Sequence, residues 1–259
     1  MKIIVCIKQV PDTTEIKLNP ETGTMIRDGV PSIMNPDDKG GLEMALSLKD
    51  QFGAHVTVIT MGPAQADQIL REAFAMGVDR AIHLTDKRFA GADTLATSNA
   101  ISGALRNLEY DLIITGRQAI DGDTAQVGPQ IAELLDLPQV TYVEDLQFEN
   151  GTFTIRKANE EGYQMVQVEA PCLITVLASA NQPRYMSVNG IMTAYKKEVE
   201  VWGFEQITVD ETKLGLKGSP TRVHKSFSKG VKSAGQKYEV DPQMAVEIIM
   251  DKLKEKFII

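Results

Sequence analysis

The strongest constraint in this chain is a set of short apolar runs that do not alternate, at residues 3–7, 56–60, 81–84 and 112–115. A strand covered on one face alternates apolar and polar side chains, whereas an unbroken apolar run calls for cover on both faces, as in a parallel sheet. Segments of helical period lie between the runs. One starts at Pro36, where Asn35 is placed to cap it, Asp37 and Asp38 favour the helix dipole, and Leu42, Ala45 and Leu46 share a face. Others are predicted over 64–76, ending at Gly77, and over 93–108 and 124–135. This order predicts an α/β fold with a doubly wound, mostly parallel sheet.

Two stretches break the alternation. Residues 9–30 are too long for an ordinary strand-to-helix loop and carry the turn residues Asn19-Pro20-Glu21-Thr22-Gly23, which predicts a hairpin excursion over the top of the sheet. Beyond Pro138, Leu146 and Phe148, then Asn150-Gly151, then Phe153 and Ile155 form the strongest hairpin signal in the chain. A further strand pair is expected at 165–168 and 172–176, so that the sheet gains an antiparallel extension.

The end of the chain is different in kind. No acidic residue occurs from Thr212 to Tyr238, while Lys213, Lys217, Arg222, Lys225, Lys229, Lys232 and Lys237 recur among Gly, Ser and Pro. Such a segment buries little apolar surface by itself. Asp241-Pro242 then opens a helix with Val246, Ile249 and Leu253 on one stripe. The expected division is an α/β domain over 1–200 and an arm with its helix over 201–259. That helix docks on its own domain or on another subunit, and the long linker favours the second.

Composition narrows the function. A net charge of -8 argues against a nucleic-acid partner, because phosphate backbones require concentrated Lys and Arg. No apolar run approaches the roughly 20 residues that span a bilayer. The N-terminus runs straight into a strand without a cleavable signal pattern, which makes the cytoplasm the expected location. Cys6 and Cys172 sit inside apolar runs and read as buried thiols. With His55, His83 and His224 scattered, neither a closed zinc site nor a catalytic triad is expected.

The segment richest in chemistry is Gly116-Arg117-Gln118-Ala119-Ile120-Asp121-Gly122-Asp123-Thr124-Ala125-Gln126-Val127-Gly128, which leaves a strand and enters a helix. Ligands of open α/β sheets collect at the carboxyl ends of strands, and free N–H groups at a helix start attract phosphate. Thr124 and Gln126 add side-chain donors, while Asp121 and Asp123 oppose an anion unless they cap the helix or act through water. A calcium loop starting at Asp121 fails, with Gln126 and Ala132 where Gly and Glu belong. No G-x-G-x-x-G string follows a strand, and the near P-loop at 230–237 has Gln236 in place of Lys.

Four motifs, Met34-Asn35-Pro36-Asp37-Asp38, Met61-Gly62-Pro63-Ala64-Gln65, the 116–128 loop and Asn181-Gln182-Pro183-Arg184-Tyr185, occur in the order found in electron-transfer flavoprotein beta subunits. The resemblance covers essentially the whole chain. It implies an adenine nucleotide alpha hydrolase-like sheet with a nucleotide at its carboxyl edge. Cys6 and Met61 would meet the adenosine, Asn35, Pro36, Asp37 and Asp38 would border adenine and ribose, and Gly116 to Val127 would cradle the phosphates. Arg184, Tyr185 and Val188 fall in what resembles the loop that grips a partner dehydrogenase. The pattern at Arg156-Lys157-Ala158-Asn159-Glu160-Glu161-Gly162 departs from the family's usual one.

The family has two branches. In one the beta site holds structural AMP; in the other it holds a second FAD that takes a hydride from NADH and splits the electron pair. The 116–129 string and Val140-Thr141-Tyr142-Val143 look like the second, bifurcating branch. The implied partners are an alpha subunit with its own FAD, an acyl-CoA dehydrogenase, and a low-potential ferredoxin or flavodoxin. No residue of the chain need act as acid or base, because the redox chemistry belongs to the flavin. The isolated chain is expected to bind flavin poorly. An ATP-using enzyme or a nucleotide sensor is the alternative from another class, although the pyrophosphatase string S-G-G-x-D-S and a P-loop are both absent from the sequence.

Overall fold

In the computed structural model, which describes residues 1–12, 31–221 and 235–258, the apolar runs become parallel strands of one sheet. In chain order the strands and α-helices are β1 (Lys2–Cys6), β2 (Gln9–Pro11), β3 (Ser32–Met34), α1 (Pro36–Phe52), β4 (His55–Met61), α2 (Asp67–Met76), β5 (Arg80–Leu84), α3 (Thr94–Leu105) and β6 (Leu112–Gly116). They continue with α4 (Val127–Leu134), β7 (Gln139–Glu149), β8 (Thr152–Asn159), β9 (Gly162–Glu169), β10 (Cys172–Val176), α5 (Val188–Ala194), β11 (Glu200–Trp202), α6 (Gly215–Gly218) and α7 (Pro242–Glu255). These residues fall in two units, Met1–His224 and Lys225–Ile259. In the second unit, α7 is capped by the Asp241 carboxylate, which accepts the N–H groups of Gln243 and Met244.

The sheet of the first unit runs β11-β5-β4-β1-β6-β10-β7-β8-β9. Pairing is parallel from β11 to β7 and antiparallel from β7 to β9. Successive residues of β1 feed opposite layers. Ile3 and Val5 pack with Leu42, Leu46 and Phe74, whereas Ile4 and Cys6 pack with Ile59, Ile82, Ile101 and Ile131. Both layers are apolar, so the central strands carry no polar face, which is why their sequences read as unbroken runs. Each fully buried Ile or Leu contributes about 1.5–3 kcal/mol. Among the described residues no helix is long and apolar enough to cross a membrane.

The hairpin at Asn150-Gly151 forms as expected, with φ of 49° and 85° at the two turn residues. Such positive values match the turn to the twist of β7 and β8. The excursion after β1 has the antiparallel pair β2–β3 as its base, while its turn at 19–23 lies outside the described residues. So does the middle of the basic arm, 222–234.

Four sequence expectations are corrected. The segment 172–176 does not pair with 165–168: β10 enters the sheet between β6 and β7, parallel to both, and β9 pairs with β8. Every residue of β10 is buried, a central-strand signature that its unbroken apolar run already carried. Asn35 stands at the N-cap position of α1 but makes no cap hydrogen bond, because its side chain is engaged elsewhere. The fourth helix starts at Val127 and not at Thr124, since Asp123 and Ala125 take φ of 49° and 52°, outside helical space. Finally, residues 201–219 of the expected arm belong to the first unit. β11 pairs with β5, and the Ser219 hydroxyl accepts the N–H of Asp93 at 2.8 Å.

Candidate functional site

The strand order reverses direction in the chain between β1, which continues to β4 and β5, and β6, which continues to β10 and β7. A crevice at such a reversal, outside the carboxyl ends of the strands, is where α/β sheets bind ligands. A cleft of about 740 Å³ lies there, bordered by the ends of β1, β4, β5 and β6. That volume falls within the roughly 300–1,000 Å³ of small-molecule and cofactor sites.

Of the residues singled out from sequence, Cys6, Asp38, Met61, Gly116, Arg117, Gln118, Ala119, Gly122, Thr124, Ala125, Gln126 and Val127 line this cleft. Asn35, Pro36, Asp37, Ile120, Asp121 and Asp123 do not; several of them hold the loop from behind. The Asn35 amide donates to the Gln118 carbonyl at 2.8 Å and its Oδ1 accepts the Ile120 N–H at 3.1 Å. Asp37 accepts from Ala178 at 2.9 Å and from Gln118 at 3.3 Å, with the Arg117 guanidinium 3.3 Å away. The Met-Asn-Pro-Asp-Asp motif is therefore a bracket that spans α1, β6 and the loop after it.

The carboxylates that sequence set against an anion are accounted for in the same way. Asp121 is nearly buried and receives the Lys8 ammonium at 2.7 and 2.8 Å on its two oxygens. Asp123 accepts the Gln118 side-chain amide at 2.8 Å. Neither caps α4. Meanwhile the backbone N–H groups from Thr124 to Gly128 have no hydrogen-bond partner among the described residues. A run of unengaged donors leading into a helix start suits a phosphate.

Two glycines let the loop and the start of α4 pack tightly on the elements behind them. A Cβ on Gly116 would strike the Asp38 carboxylate, and one on Gly128 would stand 2.6 Å from the Thr115 hydroxyl. Asp38 itself is buried and accepts the N–H of Lys8 at 2.8 Å and of Gly116 at 3.0 Å. Burial pushes its pKa up to about 7, against the opposing pull of Asn35, those two N–H groups and the Lys8 ammonium. Burial likewise raises the Cys6 thiol to about 12, with Asp38 adding to the rise. Cys6 thus meets the cleft as an unionised, weakly polar wall.

Sequence reading missed Lys8, Gln9 and the wall at 84–94 that follows β5, including Asp86, Phe89 and Thr94. Thr94 donates to Gln126 Oε1 at 2.8 Å and so joins that wall to the 116–128 loop. The strand-end rule, applied to the run 81–84 as it was to 112–115, would have found this wall. Of the residues expected to dock a partner, Arg184 turns inward: it holds Glu43 at 2.9 Å and Asp50 at 2.8 Å, both on α1. Tyr185 and Val188 stand 98% and 77% exposed.

A family model described as the electron transfer flavoprotein domain matches residues 22–206. The chain is 56% identical over 256 residues to the electron transfer flavoprotein subunit beta of Clostridium acetobutylicum, with 99% of each chain covered. It is 50% identical over 262 residues to subunit CarD of the caffeyl-CoA reductase-Etf complex of Acetobacterium woodii, with both chains covered in full. It is also 45% identical over 268 residues to the acryloyl-CoA reductase electron transfer subunit gamma of Anaerotignum propionicum, again over both whole chains. With a cleft, a loop and a sheet order of this kind, and identity of this extent, the chain belongs to the electron transfer flavoprotein beta-subunit family.

Proposed function

We propose that the cleft at the β1/β6 reversal holds FAD, and that the chain acts with an alpha subunit as an electron-bifurcating flavoprotein. The observation that carries the reading is the loop at 124–128, whose unengaged N–H groups border a cleft large enough for a cofactor. The loop's own acidic groups are already bonded to Lys8 and Gln118. Thr124 to Gly128 would hold the phosphates, and Cys6 and Met61 would flank the adenosine. The chemistry such a flavin supplies is acceptance of a hydride from NADH and division of the electron pair between a low-potential ferredoxin or flavodoxin and, through the alpha-subunit FAD, an acyl-CoA dehydrogenase. The chain's own part is to bind and orient. Two relatives named for reductases of CoA thioesters support a partner of the acyl-CoA dehydrogenase kind. Exposed Tyr185 and Val188 offer that partner a docking surface, and the cytoplasm is the proposed location.

The test is to co-purify the chain with its alpha subunit, denature the complex and identify the released nucleotides by chromatography. Two FAD per heterodimer are expected. One FAD and one AMP would remove the bifurcating reading and leave a structural nucleotide with a docking role. The isolated chain is expected to bind FAD weakly, so tight stoichiometric FAD on it alone would overturn the need for the partner.

A further inference from the structure

Among the described residues three carboxylates line the cleft, those of Asp38, Asp86 and Asp93. What engages each of them decides how strongly it opposes an anion in the cleft. Asp38 accepts two backbone N–H groups, and Asp86 is held by the Arg88 guanidinium at 2.8 Å. Asp93 is engaged differently. One oxygen caps α3 through the Ala96 N–H at 3.0 Å. The other accepts both the N–H and the hydroxyl of Thr221, at 3.1 and 2.7 Å. Burial alone would raise the Asp93 pKa, but these bonds outweigh it and hold the carboxyl below its ordinary 3.8, so it stays charged.

Thr221 does not line the cleft, and 128 residues separate it from Asp93. Its neighbours make the contact firm. Ser219 is buried, and its hydroxyl accepts the Asp93 N–H and donates to the Gly215 carbonyl, each at 2.8 Å. A Cβ on Gly215 would strike the Arg88 carbonyl. Residues 215–221 are thus seated against the cleft wall at 88–93. From the start of α3, Thr94 reaches Gln126 at 2.8 Å and Ser98 reaches Gln130 at 2.9 Å. Those partners belong to the loop and helix with the unengaged N–H groups. Asp93 therefore stands next to the residue that joins the wall to the loop.

Resting on the nucleotide reading of the cleft, we infer that Thr221 is a positioning residue of that site, its donors occupying the Asp93 carboxylate so that this charge does not oppose a bound phosphate. A hydroxyl dipole aimed at a carboxylate offsets part of its field. Residues 215–221 are then a working part of the nucleotide site, although Thr221 touches no ligand.

The experiment uses the chain in complex with its alpha subunit, stripped of nucleotide and titrated calorimetrically with AMP. Thr221→Val keeps the shape and removes the hydroxyl donor, and AMP is expected to bind about threefold weaker or more. Thr221→Ser restores the donor and should restore the affinity. Asp93→Asn keeps a helix cap without the charge and should bind AMP more tightly. Adding Thr221→Val to Asp93→Asn should then cost little, because no charge is left to offset. Circular dichroism checks that each variant is folded. Wild-type affinity in Thr221→Val would overturn the inference, as would weaker binding by a folded Asp93→Asn. So would an equal loss from Thr221→Val in both backgrounds, which would mean that Thr221 serves the fold alone. Each of these results leaves the cleft as a nucleotide site. Failure of the wild-type complex to bind AMP at all would remove the nucleotide reading itself.

Discussion

The carboxylate of Asp38, on the first turn of α1, accepts the backbone N–H of Gly116 at the end of β6, 3.0 Å away. Its second oxygen accepts the N–H of Lys8 just past β1, so one buried side chain joins the two strands that flank the cleft. Its pKa, about 7 when folded, stands well above the ordinary 3.8 because of burial. A carboxyl raised in this way takes up a proton on folding. Its contribution to stability is complete below about pH 4 and is lost as pH rises through about 7. The shift corresponds to at most about 4 kcal/mol. Urea melts at pH 4.5 and 8 should therefore show the wild type losing several kcal/mol more over this interval than Asp38→Asn. Parallel pH profiles for the two proteins would sink the assignment.

Lys8 and Asp121 form the pair that makes the loop tolerable to an anion. Lys8→Met leaves a nearly buried carboxylate without its counter-charge, at a cost of about 3–5 kcal/mol if it stays ionised. It also removes a cation from the cleft wall. Nucleotide affinity measured on the heterodimer is expected to fall about tenfold or more. Asp121→Asn should lose far less, since it removes the anion and keeps the cation. Equal losses from the two variants would mean that the pair serves the fold alone.

Phe153, on β8, is fully buried, with its ring 4.8 Å from that of Phe148 across the hairpin. Phe153→Ala should cost about 3–5 kcal/mol. Gly151→Ala meets no neighbour within 4 Å and pays only for its left-handed backbone, about 1 kcal/mol. Thermal melts distinguish the two, and a larger loss at Gly151 would contradict this account of the turn.

Burial raises both thiols, Cys6 and Cys172, to about 12. At pH 8 neither is a thiolate, and both should resist a disulfide reagent for as long as the protein stays folded. Two thiols per chain should react once it is unfolded in denaturant. Rapid labelling of the native protein would show that one of the two is open to solvent.

Much of the fold was legible in the residues themselves, because parallel strands buried on both faces leave unbroken apolar runs and the turn at Asn150-Gly151 requires positive φ. The 116–128 loop was legible as a strand-to-helix connection with side-chain donors at Thr124 and Gln126. What local sequence could not decide was partnership. That β10 lies between β6 and β7, and not against β9, depends on which sheet position is covered on both faces, a property of the assembled layers. Asn35 carries the chemistry of a helix cap, but only the packing of α1 under the loop shows its side chain committed to Gln118 and Ile120 instead. Lys8 and Asp121 are 113 residues apart, and Gln9 lies 56 residues from Gln65. Such contacts exist only when the strand ends are brought to one edge, because charge and hydrogen bonding act over a few ångströms of space, whatever the distance along the chain.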